Sequence, residues 1–189
     1  MQAEIYNVDY TQFTHILGTT HFSKRSLYQA NKAVAQLEPT DLAVELDMQR
    51  YDILNSDCAQ CPHNHNCSRK CEFIGAVEAL GNKDTNIWLI DMSRREFWQR
   101  MYALPEGSSH WRVLLHERDA LMAARLAWIA TRSLEREETP CVLALVGAAH
   151  EKGITILLRN PLRLKERLDR FGLRFTPPAM IRRVMVKGD

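Results

Sequence analysis

The stretches His15-Ile16-Leu17-Gly18-Thr19-Thr20-His21 and Val142-Leu143-Ala144-Leu145-Val146-Gly147-Ala148-Ala149-His150 follow one plan: an apolar run, a glycine, two small residues and a histidine. Short apolar runs bounded by polar or turn residues read as strands. Two more such runs, at residues 42–46 and 87–90, join those at 14–17 and 142–146. Between them lie helical patterns. Leu27, Ala30, Val34 and Leu37 share one face of a helix over residues 26–38, which Pro39 stops. Ser93-x-x-Glu96 is a capping box that opens another helix running towards Tyr102. Residues 117–136 form the longest helical stretch, and a last helix starts near Pro161 and stops at Gly172. A short strand is expected at 173–175, before Pro177-Pro178, and loops at 57–70 and 104–111. Strand–helix alternation predicts an α/β fold, with a mixed, largely parallel central sheet flanked by helices and a cysteine-rich loop insertion.

Open α/β sheets bind ligands beyond the carboxyl ends of their strands. In chain order those ends deliver His21, Glu45 with Asp47, Asp91, and His150. Parallel strands would set all of them on one rim. The glycines at 18 and 147 are expected to permit a backbone conformation closed to other residues and close approach to a ligand. Paired imidazoles suit zinc, manganese, iron or cobalt, with a carboxylate added for harder ions. The plainer alternative is that each histidine caps a helix or satisfies a buried backbone group. Glu45, set in Val44-Glu45-Leu46-Asp47, is a carboxylate in an apolar run and needs a partner or a metal. It is either a metal ligand or base, or it is salt-bridged to Arg50 or Arg118. Glu117 and Asp119 suit a helix start, whereas Arg118 goes against the dipole there and calls for a specific partner, such as a substrate carboxylate or an oxyanion.

Cys58-x2-Cys61-x5-Cys67-x3-Cys71 places four cysteines in fourteen residues, with His63 and His65 inside the span. That density signals ligation. Tetrathiolate zinc is one occupant and a [4Fe–4S] cluster another, with disulfides or free thiols the remaining alternatives. Cys141 reads as a small core residue, and Trp88, Trp98, Trp111 and Trp128 as core or groove lining.

The 189 residues, 46% hydrophobic and 25% charged, are expected to form a single domain, residues 1–189, with the cysteine loop at 57–71. A net charge of +2 gives no reason to expect nucleic acid. No apolar run approaches the ~20 residues that span a bilayer, and the first residues carry no signal-peptide pattern. The expected location is the cytoplasm, where thiols stay reduced or bind metal.

Five pieces together resemble the TraB family, which includes the pheromone-shutdown proteins and is related to the Tiki, GumN and erythromycin-esterase/ChaN-like group. They are Ile16 to Ser23, Leu42 to Asp47 with Arg50-Tyr51, Leu89-Ile90-Asp91, Glu117 to Ala123, and Ala144 to His150. The resemblance implies an α/β core and, through the Tiki branch, a metal-dependent peptidase-like site. His21, His150 and Glu45 match that branch's metal or catalytic residues, with Arg118 in support. The implied function is a metal-dependent hydrolase with a divalent ion (manganese, cobalt or zinc) at this site. The alternatives are a non-catalytic regulatory protein that binds peptides in the same cleft, or a redox or iron sensor working through the cysteine cluster. The expected partners are a peptide or small-molecule substrate and a second copy of the chain, with no nucleic acid and no membrane.

Overall fold

The computed structural model describes residues 8–21, 23–59, 71–81 and 83–181. A 3-10 turn at Tyr10–Gln12 leads into β1 (Thr14–Thr19), α1 (Lys24–Leu37), β2 (Asp41–Val44), α2 (Met48–Ala59), α3 (Glu72–Ala79) and β3 (Asn86–Leu89). Then come α4 (Arg94–Tyr102), a π-helical segment (Arg112–Glu117), α5 (Arg118–Leu134), β4 (Val142–Gly147), α6 (Ala148–Arg159), α7 (Pro161–Phe171) and β5 (Ala179–Ile181). The fold is α/β, as the alternation predicts. Five strands form one sheet in the order β1-β4-β2-β3-β5. The first four are mutually parallel, and β5 pairs antiparallel with the outer edge of β3.

Strand side chains alternate between faces, and the two halves of the core follow that alternation. Leu42, Val44, Ile87, Leu89, Leu143 and Leu145 pack with α1 and α3. Ala43, Trp88, Ala144 and Val146 pack on the other face, with α5, α6 and α7. All six residues of β4 are buried, as a central strand covered on both faces must be. Removing a large side chain from either layer costs about 2–5 kcal/mol.

The connections create the crevice that matters. The chain leaving β1 enters α1 on one face, while the chain leaving its neighbour β4 enters α6 on the other. Diverging connections between adjacent parallel strands open a space at their carboxyl ends. Thr19 stands opposite Gly147 in register, so the two ends are level.

Several local expectations are corrected. The strand expected at 173–175 is absent; the last pairing is made by Ala179–Ile181, beyond Pro177-Pro178. Helix α2 runs through Ala59, into the start of the segment expected to be loop, because nothing in Met48 to Ala59 breaks it. Of the tryptophans read as core or groove lining, Trp88 is buried in the core and Trp98 lines a cleft, whereas Trp111 is 63% exposed. Of the cysteine loop, Cys61, Cys67 and the Cys58 side chain lie outside the described residues. Cys71 is buried at the N-terminus of α3. No helix among the described residues is long and apolar enough to cross a membrane.

Candidate active site

The parallel strands bring His21, Glu45, Asp47, Asp91 and His150 to one rim, as the sequence predicts. Their backbone continues the sheet just past the strands: Glu45 N–H donates to Leu145 O (3.0 Å), and Asp91 N–H donates to Leu46 O (3.2 Å). Gly147 is the pivot. A Cβ built on it would lie 3.3 Å from Glu45 Oε2, 3.5 Å from His21 Nε2 and 3.8 Å from His150 Cδ2. Three side chains from three strand ends therefore surround one glycine. Neither Gly18 nor Gly147 has a positive φ, so the expectation of a special backbone conformation is replaced by one of space.

Each histidine is held from behind by a carboxylate. His21 Nδ1 lies 2.8 Å from Glu72 Oε1, and Glu72 also accepts from Thr19 Oγ1 (3.1 Å). Glu72 is fully buried, and its hydrogen bond raises the His21 pKa against the opposing effect of burial. His150 Nδ1 lies 2.5 Å from Asp119 Oδ1, with both side chains buried. Burial pushes the Asp119 pKa up, while the bond to His150 works the other way. On the far side, His150 Nε2 faces Glu45 Oε1 at 3.4 Å. If Nδ1 carries the proton shared with Asp119, then Nε2 and Oε1 meet as acceptors unless a proton or a cation lies between them.

Both oxygens of Glu45 are engaged. Its Oε1 accepts from Arg118 Nη2, and its Oε2 accepts from Gly147 N–H at 2.5 Å. Of the two cations proposed for Glu45, Arg118 is therefore the one it meets. Arg118 also clamps Asp91 through Nε (2.9 Å) and Nη2 (2.6 Å), and its Nη1 reaches Leu114 O (3.1 Å). Four of its five N–H groups are used in these contacts, and the fifth makes no hydrogen bond among the described residues. Asp91 receives Arg50 Nη2 as well, at 2.5 Å, and Arg50 is braced by Asp47. Although burial alone would raise it, the two guanidinium groups hold the Asp91 carboxyl below the usual range. Asp91 and Glu45 in turn raise the Arg118 pKa, so this cation never discharges.

Asp47 proves structural. It caps α2 by accepting from Arg50 N–H (2.8 Å) and anchors α4 by accepting from Arg94 N–H (2.7 Å). Glu117 likewise owes its burial to ion pairs with Arg100 (3.0 Å) and Arg112 (2.8 Å), beyond any effect of the helix dipole. Two residues that sequence reasoning missed are the carboxylates behind the histidines. Glu72 had a usable signal, the same one as Glu45: a lone acid opening the apolar run Phe73-Ile74-Gly75-Ala76-Val77. Asp119 was visible only as a helix-start residue, and nothing local ties it to a histidine 31 residues away. Arg125, also missed, is buried and donates to Ile90 O, Asp91 O and Thr176 O, fixing the backbone that presents Asp91.

Imidazole nitrogen and carboxylate oxygen are donor types that divalent ions take. His21 Nε2 and His150 Nε2 are imidazole nitrogens, each with its other nitrogen on a carboxylate as metal-bound histidines usually have. Glu45 is the carboxylate beside them, and the missing Cβ of Gly147 leaves space among the three side chains. Among the described residues, no group of three or more His, Cys, Asp or Glu side chains is placed so that it could hold a metal ion. No protein-family model matches the chain, and searches of curated proteins and of solved structures return no match either.

Proposed function

We propose that the chain is a metal-dependent hydrolase acting on a peptide or a similar acyl substrate, with His21, His150 and Glu45 at its centre. The supporting observation is the ring of two carboxylate-backed imidazoles and one glutamate around Gly147. Such dyads fix which nitrogen carries the proton and leave the other ready for chemistry. His150 Nε2 and Glu45 would hold the ion, whose chemical contribution is to make a bound water acidic enough to ionise near neutrality, while His21 Nε2 stays free for the proton.

The chain's own groups would act as follows. Glu72 accepts from Nδ1–H of His21, so Nε2 presents its lone pair to the cleft and takes a proton from the attacking water. The water oxygen bonds to the acyl carbon, and the former carbonyl electrons move onto its oxygen. The remaining N–H of Arg118, locked in place by Glu45 and Asp91, is the cationic donor available to that oxygen. His21 then returns the proton to the leaving nitrogen as the carbon–nitrogen bond breaks. His150, held by Asp119 and facing Glu45, keeps the opposite wall of the cleft polar and fixed.

The test is purified chain assayed for bound metal and for release of new amino groups from a mixture of peptides. His21→Ala and His150→Ala should each lower turnover about 100-fold or more, and His150→Ala should reduce bound divalent metal. Unchanged turnover and metal content in both variants would contradict the proposal.

A further inference from the structure

Beside the histidine–glutamate centre lies a second space with its own chemistry. A cleft of about 250 Å³ is lined by Arg50, Arg94, Arg118, Met92, Phe97 and Trp98, with Asp91 at the junction with the centre. Whole ligands usually need about 300–1,000 Å³, so this volume suits one terminal group of a larger molecule.

Its charges are unevenly spent. Asp91 is saturated by Arg118 and Arg50, which hold it ionised and cancel its repulsion of anions. Arg50 Nη1 makes no hydrogen bond among the described residues, and neither does any part of the Arg94 guanidinium. Arg94 is nevertheless well placed, because its backbone N–H is tied to Asp47 and the Ser93 hydroxyl caps the same helix by accepting from Glu96 N–H. Guanidinium forks suit planar carboxylates in a way that single N–H donors do not. The opposite wall is apolar. Phe97 meets Trp98 edge-on at 5.2 Å, and Trp98 stacks on Tyr102 at 5.8 Å, leaving Trp98 44% and Tyr102 83% exposed. An aromatic shelf left in water beside unspent guanidinium groups favours a ligand with an acid at one end and an apolar group at the other.

We infer that this cleft anchors the substrate by a carboxylate carried next to an apolar or aromatic group, as at the C-terminus of a peptide with an apolar last residue. The role as a substrate anchor rests on the hydrolytic reading of the adjoining centre, since Arg118 belongs to both. Binding itself does not.

The experiment measures binding without turnover. N-acetylphenylalanine and its uncharged amide are titrated into the native chain by calorimetry, with the Trp98 indole N–H followed by NMR. The acid should bind saturably and shift the Trp98 signal, and the amide should bind about tenfold more weakly or worse, as expected for loss of a charge-assisted contact. Arg94→Gln alters an exposed side chain and should erase the preference, and Trp98→Ala should weaken both ligands. His21→Ala should leave the preference intact. Equal binding of acid and amide, a still Trp98 signal, or an undiminished preference in Arg94→Gln would overturn the inference. Acid binding that persists in a chain that cleaves nothing would instead remove the hydrolytic reading alone.

Discussion

His21 stands on a turn after β1 with 49% of its side chain exposed, whereas His150 lies in the first turn of α6 with 6% exposed. Their flanking sequences are near copies, but the copies end in different local structures. β1 runs past Gly18 to Thr19, so the first glycine lies inside a strand. β4 ends at Gly147 and the helix starts at once. The supporting carboxylates also come from opposite layers, Glu72 from α3 on one face and Asp119 from α5 on the other. The shared pattern therefore encodes only that a histidine follows a strand end. Which histidine becomes the rigid member is decided by the layer that closes behind it.

That contrast can be broken first on the buried side. A Cβ on Gly153 would fall 2.0 Å from Asp119 Oδ2 and 2.8 Å from its Cγ. Helix propensity alone predicts that Gly153→Ala gains about 1 kcal/mol. Displacing Asp119 from His150 breaks a buried hydrogen bond and leaves its partners unsatisfied, at an expected cost of about 1–3 kcal/mol. The net sign in a urea unfolding curve decides between them, and the account expects destabilisation with loss of turnover.

The exposed arm should respond through pH more than through stability. Because Glu72 raises the His21 pKa above its unfolded value, the pair's contribution is fully present below about pH 6.5. It fades as pH rises through the folded value. Glu72→Gln should therefore destabilise most at the acid side of that window and little above it. It should also move the acid limb of the turnover profile downwards, since a base that binds its proton less tightly is free at lower pH. An unmoved limb would mean that His21 is not the base.

The smallest effect is expected at Gly18. Its added Cβ would meet Glu151 Oε2 at 2.2 Å, the far end of a flexible exposed side chain, and Ala148 Cα at 3.1 Å. Gly18→Ala should change stability by less than about 1 kcal/mol and leave His150 in place. A loss as large as that of Gly153→Ala would show the two arms to be equally rigid.

The fold was legible because its strands are short apolar runs with abrupt ends, and the rim was legible because each end carries a polar residue. Glu45 and Arg118 stood out as residues at odds with their settings: an acid in an apolar run, and a base at a helix start. The choice of Arg118 over Arg50 as the partner of Glu45 is set by strand order and by the π-helical segment before α5, neither of which leaves a local mark. Helices α2 and α3 were missed beside the cysteine-rich stretch, whose composition obscures helical periodicity. β5 escaped notice because three residues of an edge strand, Ala179–Ile181, carry almost no pattern. Asp119 was misjudged because a first-turn acid already has an adequate local explanation.

The central claim is that His21 and His150, which start from different structures, form one site. The direct measurement is a double-variant cycle on peptide turnover with His21→Ala, His150→Ala and the combination. Residues acting as a unit are strongly non-additive, so the double variant should be scarcely slower than the worse single one. Losses that simply multiply would mean two independent histidines that happen to share a sequence pattern.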